Sequence, residues 1–270
     1  MKTFLFHIDP NEKLKEHTDT VYALAEKYGA HVIASHITPL PATYIPYSSS
    51  YMVPVEISLP LVEEFKAAGQ RARQEFGTQW GSAGPTWEWL EENGTAHTIL
   101  AEQARAADLT IVGLGIPDLA GSTTLAANIT IGNGLPVLAL PANALPPLGT
   151  KPVIIGWDGS LEATHAIRHA LPFLKSAPEV IVAEIGEDKP QDLPSADIAP
   201  YLVRHGLKVE AIRQTAAGSI AEELLTVAHA HGAELIVTGA YGHARLREYV
   251  FGGVTRHILH DATIPIFLCH

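Results

Sequence analysis

Residues 233–239 read Ala-Glu-Leu-Ile-Val-Thr-Gly, and residues 107–113 read Ala-Asp-Leu-Thr-Ile-Val-Gly. Each is a short apolar run closed by glycine, the pattern of a strand buried on both faces of a parallel sheet. The two lie 126 residues apart. Working outward, Leu-Phe-His-Ile before Asp9 answers Ile-Ile-Gly-Trp before Asp158, 149 residues on. Leu-Pro-Val-Leu-Ala-Leu at 135–140 answers Ile-Pro-Ile-Phe-Leu-Cys at 264–269, 129 residues on. Recurrence at nearly constant spacing indicates a duplication. The fall from 149 to 126 assigns about 23 extra residues to the first copy. The Pro- and Tyr-rich segment 38–58 is the natural place for them, as a surface insertion or as a lid or interface arm.

Between these runs lie amphipathic stretches of helical period. In the first copy strands are predicted at 3–8, 31–37, 86–90, 109–112 and 136–140, with helices at 12–28, 61–80, 95–106 and from about 123. In the second, strands at 153–157, 180–185, 208–212, 235–238 and 264–268 alternate with helices at 161–174, 195–205, 219–231 and 254–261. Strict alternation means a parallel sheet covered by helices on both faces. The expected fold class is therefore α/β, two doubly wound parallel-sheet domains in tandem. They span 1–140 and 151–270, joined by the proline-rich linker 141–150.

The 270 residues are 47% hydrophobic and 17% charged, so the chain folds rather than staying disordered. A net charge of -11 with His neutral excludes the broad basic face that nucleic acid or an anionic membrane needs. Protonating all 14 His would bring the net charge to +3. One cysteine, Cys269, excludes an internal disulfide framework and fits a reducing compartment. It lies in a buried-type strand, where a reactive thiol is not expected. No apolar stretch approaches the ~20 residues of a membrane span. The expectation is a soluble cytoplasmic protein.

One spacing carries chemistry. After the strand closing at Gly239 come Gly242 and, nine residues later, Gly252-Gly253-Val254-Thr255 opening a helix. A strand, a glycine-rich turn and a helix start together form an anion site, because backbone N–H groups converge and the helix dipole favours negative charge. Thr255 would add a hydroxyl, and His243, Arg245 and Arg247 place positive charge on the loop. Read structurally instead, the same glycines shape a turn and a cap. Asp158 lies at the carboxyl end of the second copy's first strand, where doubly wound sheets bind ligands. Its plainer reading is a helix N-cap within Asp158-Gly159-Ser160. The pairs His165/His169 and His257/His260 lack further ligands, so no metal site is expected. No nucleophile elbow, Walker pattern or acid/base pair is present, and no catalytic residue is assigned.

Taken together, VIIGWDGSLEATHAIRHAL at 153–171 and GAYGHARLREYVFGGVTRHIL at 239–259 resemble the universal stress protein family. The family's nucleotide pattern is G-x2-G-x9-G-[Ser/Thr], matched in spacing by Gly239, Gly242 and Gly252. The resemblance implies ATP, with Mg²⁺, as cofactor: phosphates on the loop and on Gly253, Val254 and Thr255, Asp158 near the ribose or metal, and adenine on backbone around Ile185. It also implies domains that pair through their last strands, here within the chain or as a homodimer. Two departures stand out. Gly253 replaces the Ser or Thr, and Trp157 puts a large ring beside Asp158. In the first copy the corresponding loop shrinks, with 8 positions from Gly113 to Gly121 against 13 from Gly239 to Gly252, and it gains Asp118. That half reads as a degenerate site.

The resulting expectation is a stress-response regulator that binds ATP or a related adenine nucleotide in its second half. It would not be a dedicated enzyme; slow ATP hydrolysis is the most expected of it. The alternative is a nucleotide-independent binding or scaffold module of the same family. A nucleotidyl-transfer or pyrophosphatase relative would need a Ser/Gly-rich or HxGH-type loop that HIDP and GWDGS do not supply.

Overall fold

The apolar runs become the strands of one ten-stranded sheet in a computed structural model. It describes residues 1–9, 14–40, 42–47, 51–56, 59–81, 84–115, 124–142, 145, 147–186, 198–216, 218–240 and 253–270. The first half runs β1 (Thr3–His7), α1 (Leu14–Tyr28), β2 (His31–Thr38), β3 (Ala42–Tyr47), β4 (Tyr51–Glu56), α2 (Leu59–Trp80), β5 (Trp87–Asn93), α3 (Ala96–Gln103), β6 (Leu109–Gly113), α4 (Leu125–Asn133) and β7 (Val137–Leu140). The second runs β8 (Val153–Gly156), α5 (Leu161–Leu174), β9 (Val180–Gly186), α6 (Ile198–Arg204), β10 (Val209–Thr215), α7 (Ile220–Ala230), β11 (Leu235–Gly239), α8 (Gly253–Asp261) and β12 (Ile266–Cys269).

Strand order is β10-β9-β8-β11-β12-β7-β6-β1-β2-β5. Within this sheet the pairing inside each half is parallel, whereas β12 and β7 meet antiparallel with Phe267 opposite Leu138. The two halves therefore point their strand carboxyl ends toward opposite edges of one continuous sheet. This is the α/β, doubly wound architecture expected from the alternation.

The central strands are apolar on both sides, and two separate cores result. One holds Phe4, Phe6 and Ile155 with Leu24 of α1, Phe76 of α2, Ile167 of α5 and Leu202 of α6. The other holds Leu5 and Ile154 with Leu100 of α3, Ile129 of α4, Leu224 of α7 and Leu259 of α8. Helices α1, α2, α5 and α6 thus cover one face, and α3, α4, α7 and α8 the other. Right-handed crossovers impose this division. Among the described residues no helix is long and apolar enough to cross a membrane.

Local rules fix the helix starts. Thr124 caps α4, Ser160 caps α5, and Ser219 with Glu222 forms a capping box on α7. The insertion at 38–58 contains a hairpin, β3 paired antiparallel with β4, that the sequence pattern does not announce. Pro46 and Pro54 argue against strands there. Pro46 opposes Met52 and Pro54 opposes Tyr44, pairs of the same parity. An isolated hairpin has two free outer edges, where proline's missing donor costs nothing.

The end of the linker is held by a buried carboxylate. Glu234, 4% exposed, accepts from the N–H groups of Gly149, Thr150 (3.1 Å) and Lys151 (2.9 Å) and from Thr150 Oγ1 (3.2 Å). Lys27 of α1 donates to Leu148 O at 2.9 Å, and His17 Nε2 meets Pro141 O at 2.9 Å. Glu234→Gln keeps the shape and removes the charge behind these bonds. It is expected to cost about 1–2 kcal/mol, read as a lower urea midpoint; an unchanged midpoint would reduce Glu234 to a bystander.

Candidate nucleotide site at the carboxyl edge of the second half

β8 sits between β9 and β11, and the chain leaves it on one face through α5 while leaving β11 on the other face toward α8. Such a switch of direction opens a crevice at the strand carboxyl ends. β8 stops at Gly156, opposite Ala183, while β9 continues to Gly186. Trp157 N–H closes the pair by donating to Ala183 O at 2.9 Å. Beyond it Glu184–Gly186 overhang the crevice, with Ile185 half-buried against the α7/α8 core.

Asp158 is exposed at this edge, and its Oδ1 accepts from Ser160 N–H at 2.9 Å. It is not the helix cap. Ser160 is, with its buried Oγ accepting from Ala163 N–H at 3.1 Å. Among the described residues Oδ2 of Asp158 has no partner, so one carboxylate oxygen is left for a ligand. Gly159, at φ 78°, makes the turn between them.

Gly239 has its own reason to be glycine. A Cβ there would lie 2.5 Å from Ala163 N and 2.8 Å from Glu162 C, inside the backbone of α5's first turn. Gly156, paired with Thr238, would put a Cβ 3.1 Å from Leu224 Cδ2. Gly253 opens α8, and a Cβ there would meet no described residue within 4 Å. Val254 beside it is 37% exposed, whereas Thr255 is 6% exposed. Gly253 and Val254 thus open the first turn of α8 to solvent, with Thr255 more enclosed behind them. Gly242, Gly252, His243, Arg245 and Arg247 lie outside the described residues.

Trp157 does not intrude. Its ring packs on the core shared by α5 and α6, across the sheet from α7 and α8. Strand parity explains this, since Ile155 and Trp157 share a face. A residue that sequence reasoning missed is Glu162, whose Oε2 is buried in α5's first turn and, among the described residues, has no hydrogen-bond partner. The only available signal was an acid two residues after the cap, where most carboxylates simply face water.

The family comparison bears on this edge. The universal stress protein family matches residues 149–270. Residues 149–270 are a universal stress protein domain. Over the whole chain, a universal stress protein from Archaeoglobus fulgidus superposes with a TM-score of 0.74 at 13% identity, covering 99% of this chain and 95% of that one. A functionally unknown protein from Pseudomonas aeruginosa gives 0.58 at 15% identity, covering 100% and 92%. A comparison with curated proteins gave no match. The fold of both halves is thus that of the larger structures, and the family assignment rests on the second half.

At the corresponding strand ends of the first half, polar side chains are buried. The register that pairs Gly156 with Ala183 pairs His7 with Ser35. Both are buried, and among the described residues His7 Nδ1 and Ser35 Oγ have no hydrogen-bond partner. Burial pulls the His7 imidazole down to about 4, opposed by Asp9 and reinforced by His36. The shortened loop after Gly113, with Asp118 and Gly121, lies outside the described residues.

Other candidate chemistry is accounted for locally. His257 Nε2 and His260 Nδ1 each meet a different oxygen of Asp261, at 3.0 and 2.6 Å. Among the described residues no group of three or more His, Cys, Asp and Glu is placed to hold a metal. Cys269 is buried and its thiol is pushed up to about 11 by burial, which makes it a poor nucleophile.

Proposed function

We propose that the second half binds ATP or a related adenine nucleotide, with Mg²⁺, and that the protein is a nucleotide-responsive regulator of the stress response. The crevice at the β8/β11 switch point carries this reading. It brings a carboxylate with one uncommitted oxygen (Asp158), overhanging strand backbone (Glu184–Gly186) and the open first turn of α8 (Gly253–Val254) to one edge. Backbone around Ile185 would hold the base, Asp158 would serve the ribose or the metal, and the N–H groups of α8 would take phosphate. Mg²⁺ would supply the charge that phosphate needs beside Asp158 and Glu162. Under this reading the protein binds and signals and is not a dedicated enzyme, with slow ATP hydrolysis at most. The β7–β12 pairing supports two domains joined within one chain in place of a homodimer.

A nucleotide-independent scaffold is the second reading. It is favoured by the missing hydroxyl at Gly253 and by the net charge of -11.

Calorimetry on the full chain with ATP–Mg²⁺ separates the two. Heat of binding that vanishes in Gly252→Val supports the nucleotide reading. Gly253→Ser is the sharper test, because a side chain there contacts none of the described residues. Restoring one hydroxyl donor to phosphate is expected to tighten binding roughly tenfold. No heat from wild type or Gly253→Ser at about 1 mM ATP would leave the scaffold reading.

A further inference from the structure

The sheet has two outer strands, β5 in the first half and β10 in the second. β5 pairs with β2 without a bulge, from Trp87 opposite Val32 to Asn93 opposite Thr38. At the two ends of this ladder Val32 N–H donates to Thr86 O at 2.9 Å and Gly94 N–H donates to Thr38 O at 3.0 Å. Backbone groups alternate in direction along a parallel strand, so the even-numbered residues turn theirs toward β2. Those of Trp87, Trp89, Glu91 and Asn93 point away from the sheet, and among the described residues no strand takes them. The strand is held firmly, since Phe76 of α2 lies against the rings of Trp87 and Trp89, with centroids 5.0 and 6.4 Å away.

Proteins commonly blunt such an edge with proline, a bulge or lysine. β5 contains none of these and carries three exposed carboxylates, Glu88, Glu91 and Glu92. His31 Nε2 lies 3.8 Å from Glu88 Oε1, and among the described residues Glu91 and Glu92 form no ion pair. At the other edge the cations are already matched. Lys208, just before β10, meets Glu179 at 2.9 Å, and Arg213 within it meets Glu184 at 2.9 Å. A second copy of the chain is therefore a poor occupant of β5. Antiparallel pairing of β5 with itself about Leu90 would set Glu88 against Glu92, and β10 would bring Glu210 with its cations committed elsewhere.

We propose that β5 is a docking edge for an extended, basic segment of a partner protein, which adds to the sheet as a further strand. Glu88, Leu90 and Glu92 stand in line on the face that β5 shares with Ile33 and Ile37 of β2. Their order reads the same from either end. A segment with Lys or Arg, then an apolar residue, then Lys or Arg at alternate positions matches it in parallel or antiparallel orientation. The outward backbone groups of the odd-numbered residues supply the docking bonds, while the carboxylates admit basic strands and repel a second β5. Because β5 is already fixed by β2 and Phe76, little order is imposed on it when the partner binds. The proposal is independent of the nucleotide reading.

The test uses the isotope-labelled full chain, with the synthetic peptide TKTVTKT as probe and TETVTET as its control. At about 1 mM, TKTVTKT is expected to shift the amide signals of Trp87, Trp89, Glu91 and Asn93 and to slow their exchange, whereas TETVTET leaves them unchanged. Replacing Glu88 and Glu92 together by Gln should weaken binding roughly tenfold. Replacing both by Lys should reverse the preference, so that TETVTET binds and TKTVTKT does not. Glu91→Pro removes one outward donor and no bond to β2, and it should abolish the protection while the urea midpoint holds. If the proline lowers that midpoint, the charge-reversed variant decides alone. The proposal is overturned if TKTVTKT moves none of these amides, or if the charge-reversed variant keeps the wild-type preference. Protection of the same amides that grows with protein concentration in the absence of peptide also overturns it, in favour of pairing between copies.

Discussion

Gly239→Ala is expected to lower the stability of the protein by about 3 kcal/mol, a larger loss than most single added methyl groups produce. The added Cβ would fall 2.5 Å from Ala163 N, 2.8 Å from Glu162 C and 3.0 Å from Ala163 Cα. All three are backbone atoms in the first turn of α5, so no rotamer change relieves the overlap. Either β11 or the start of α5 must move. The nearest atom is also the donor of the Ser160 cap, Ala163 N to Ser160 Oγ at 3.1 Å, so displacement there forfeits the cap as well. Overpacking costs typically 1–3 kcal/mol and a lost cap about 1. For a chain of this size that is a fall of roughly 5–10 °C in melting temperature. Gly253→Ala is the control, since its methyl meets nothing within 4 Å; it should melt with wild type. If the two variants melt together, the close approach of β11 to α5 is not the constraint described.

The same packing decides where the nucleotide motif can be tested. Loss of ATP binding in a Gly239 variant would not separate a phosphate contact from a shifted α5, because Asp158 and Ser160 ride on the same turn. Gly253 carries no such packing role, so a substitution there leaves α5 in place. The first glycine of the motif is explained by packing alone, and the exposed first turn of α8 is where a glycine-to-serine exchange speaks about phosphate.

Much of the fold was legible because burial on both faces leaves a plain record. Leu-Ile-Val, Leu-Thr-Ile-Val and their partners are strands wherever they sit, and the doubly wound order follows from their alternation with helices. The hairpin at Ala42–Glu56 was not legible, since Pro46 and Pro54 mask strands whose outer edges never need a donor. At the site, Asp158 and Ser160 are equally good caps by residue type, and only the geometry of the turn assigns the cap to Ser160. Trp157 was readable in principle, because it shares parity with Ile155 and so lies away from α8. Glu162 and Glu234 were beyond reach. Glu234 is held by partners dozens of residues away, Glu162 has none for its Oε2 among the described residues, and no local spacing marks either.

Below neutral pH the first half is expected to lose stability through His7. Its imidazole is buried, its Nδ1 has no partner among the described residues, and its folded value is about 4 against 6.5 in the unfolded chain. As pH falls, the unfolded chain takes up this proton first. The contribution is therefore fully present above about pH 6.5 and drains away as pH falls toward 4, below which both states are protonated. A shift of that size corresponds to about 3 kcal/mol. Burial also lowers His17, which acts with the same sign, so some slope remains when His7 is replaced. Urea unfolding at pH 7.5 and pH 4.5 for wild type and His7→Leu isolates the term, because carboxylates common to both proteins cancel in the difference. Wild type should lose about 3 kcal/mol more than the variant between the two conditions. At the higher pH, His7→Leu should be no less stable than wild type, since it removes a buried nitrogen that no described residue satisfies. Equal losses in the two proteins would mean that His7 reaches water or a partner in the folded state. The burial of His7 would then not be the constraint described.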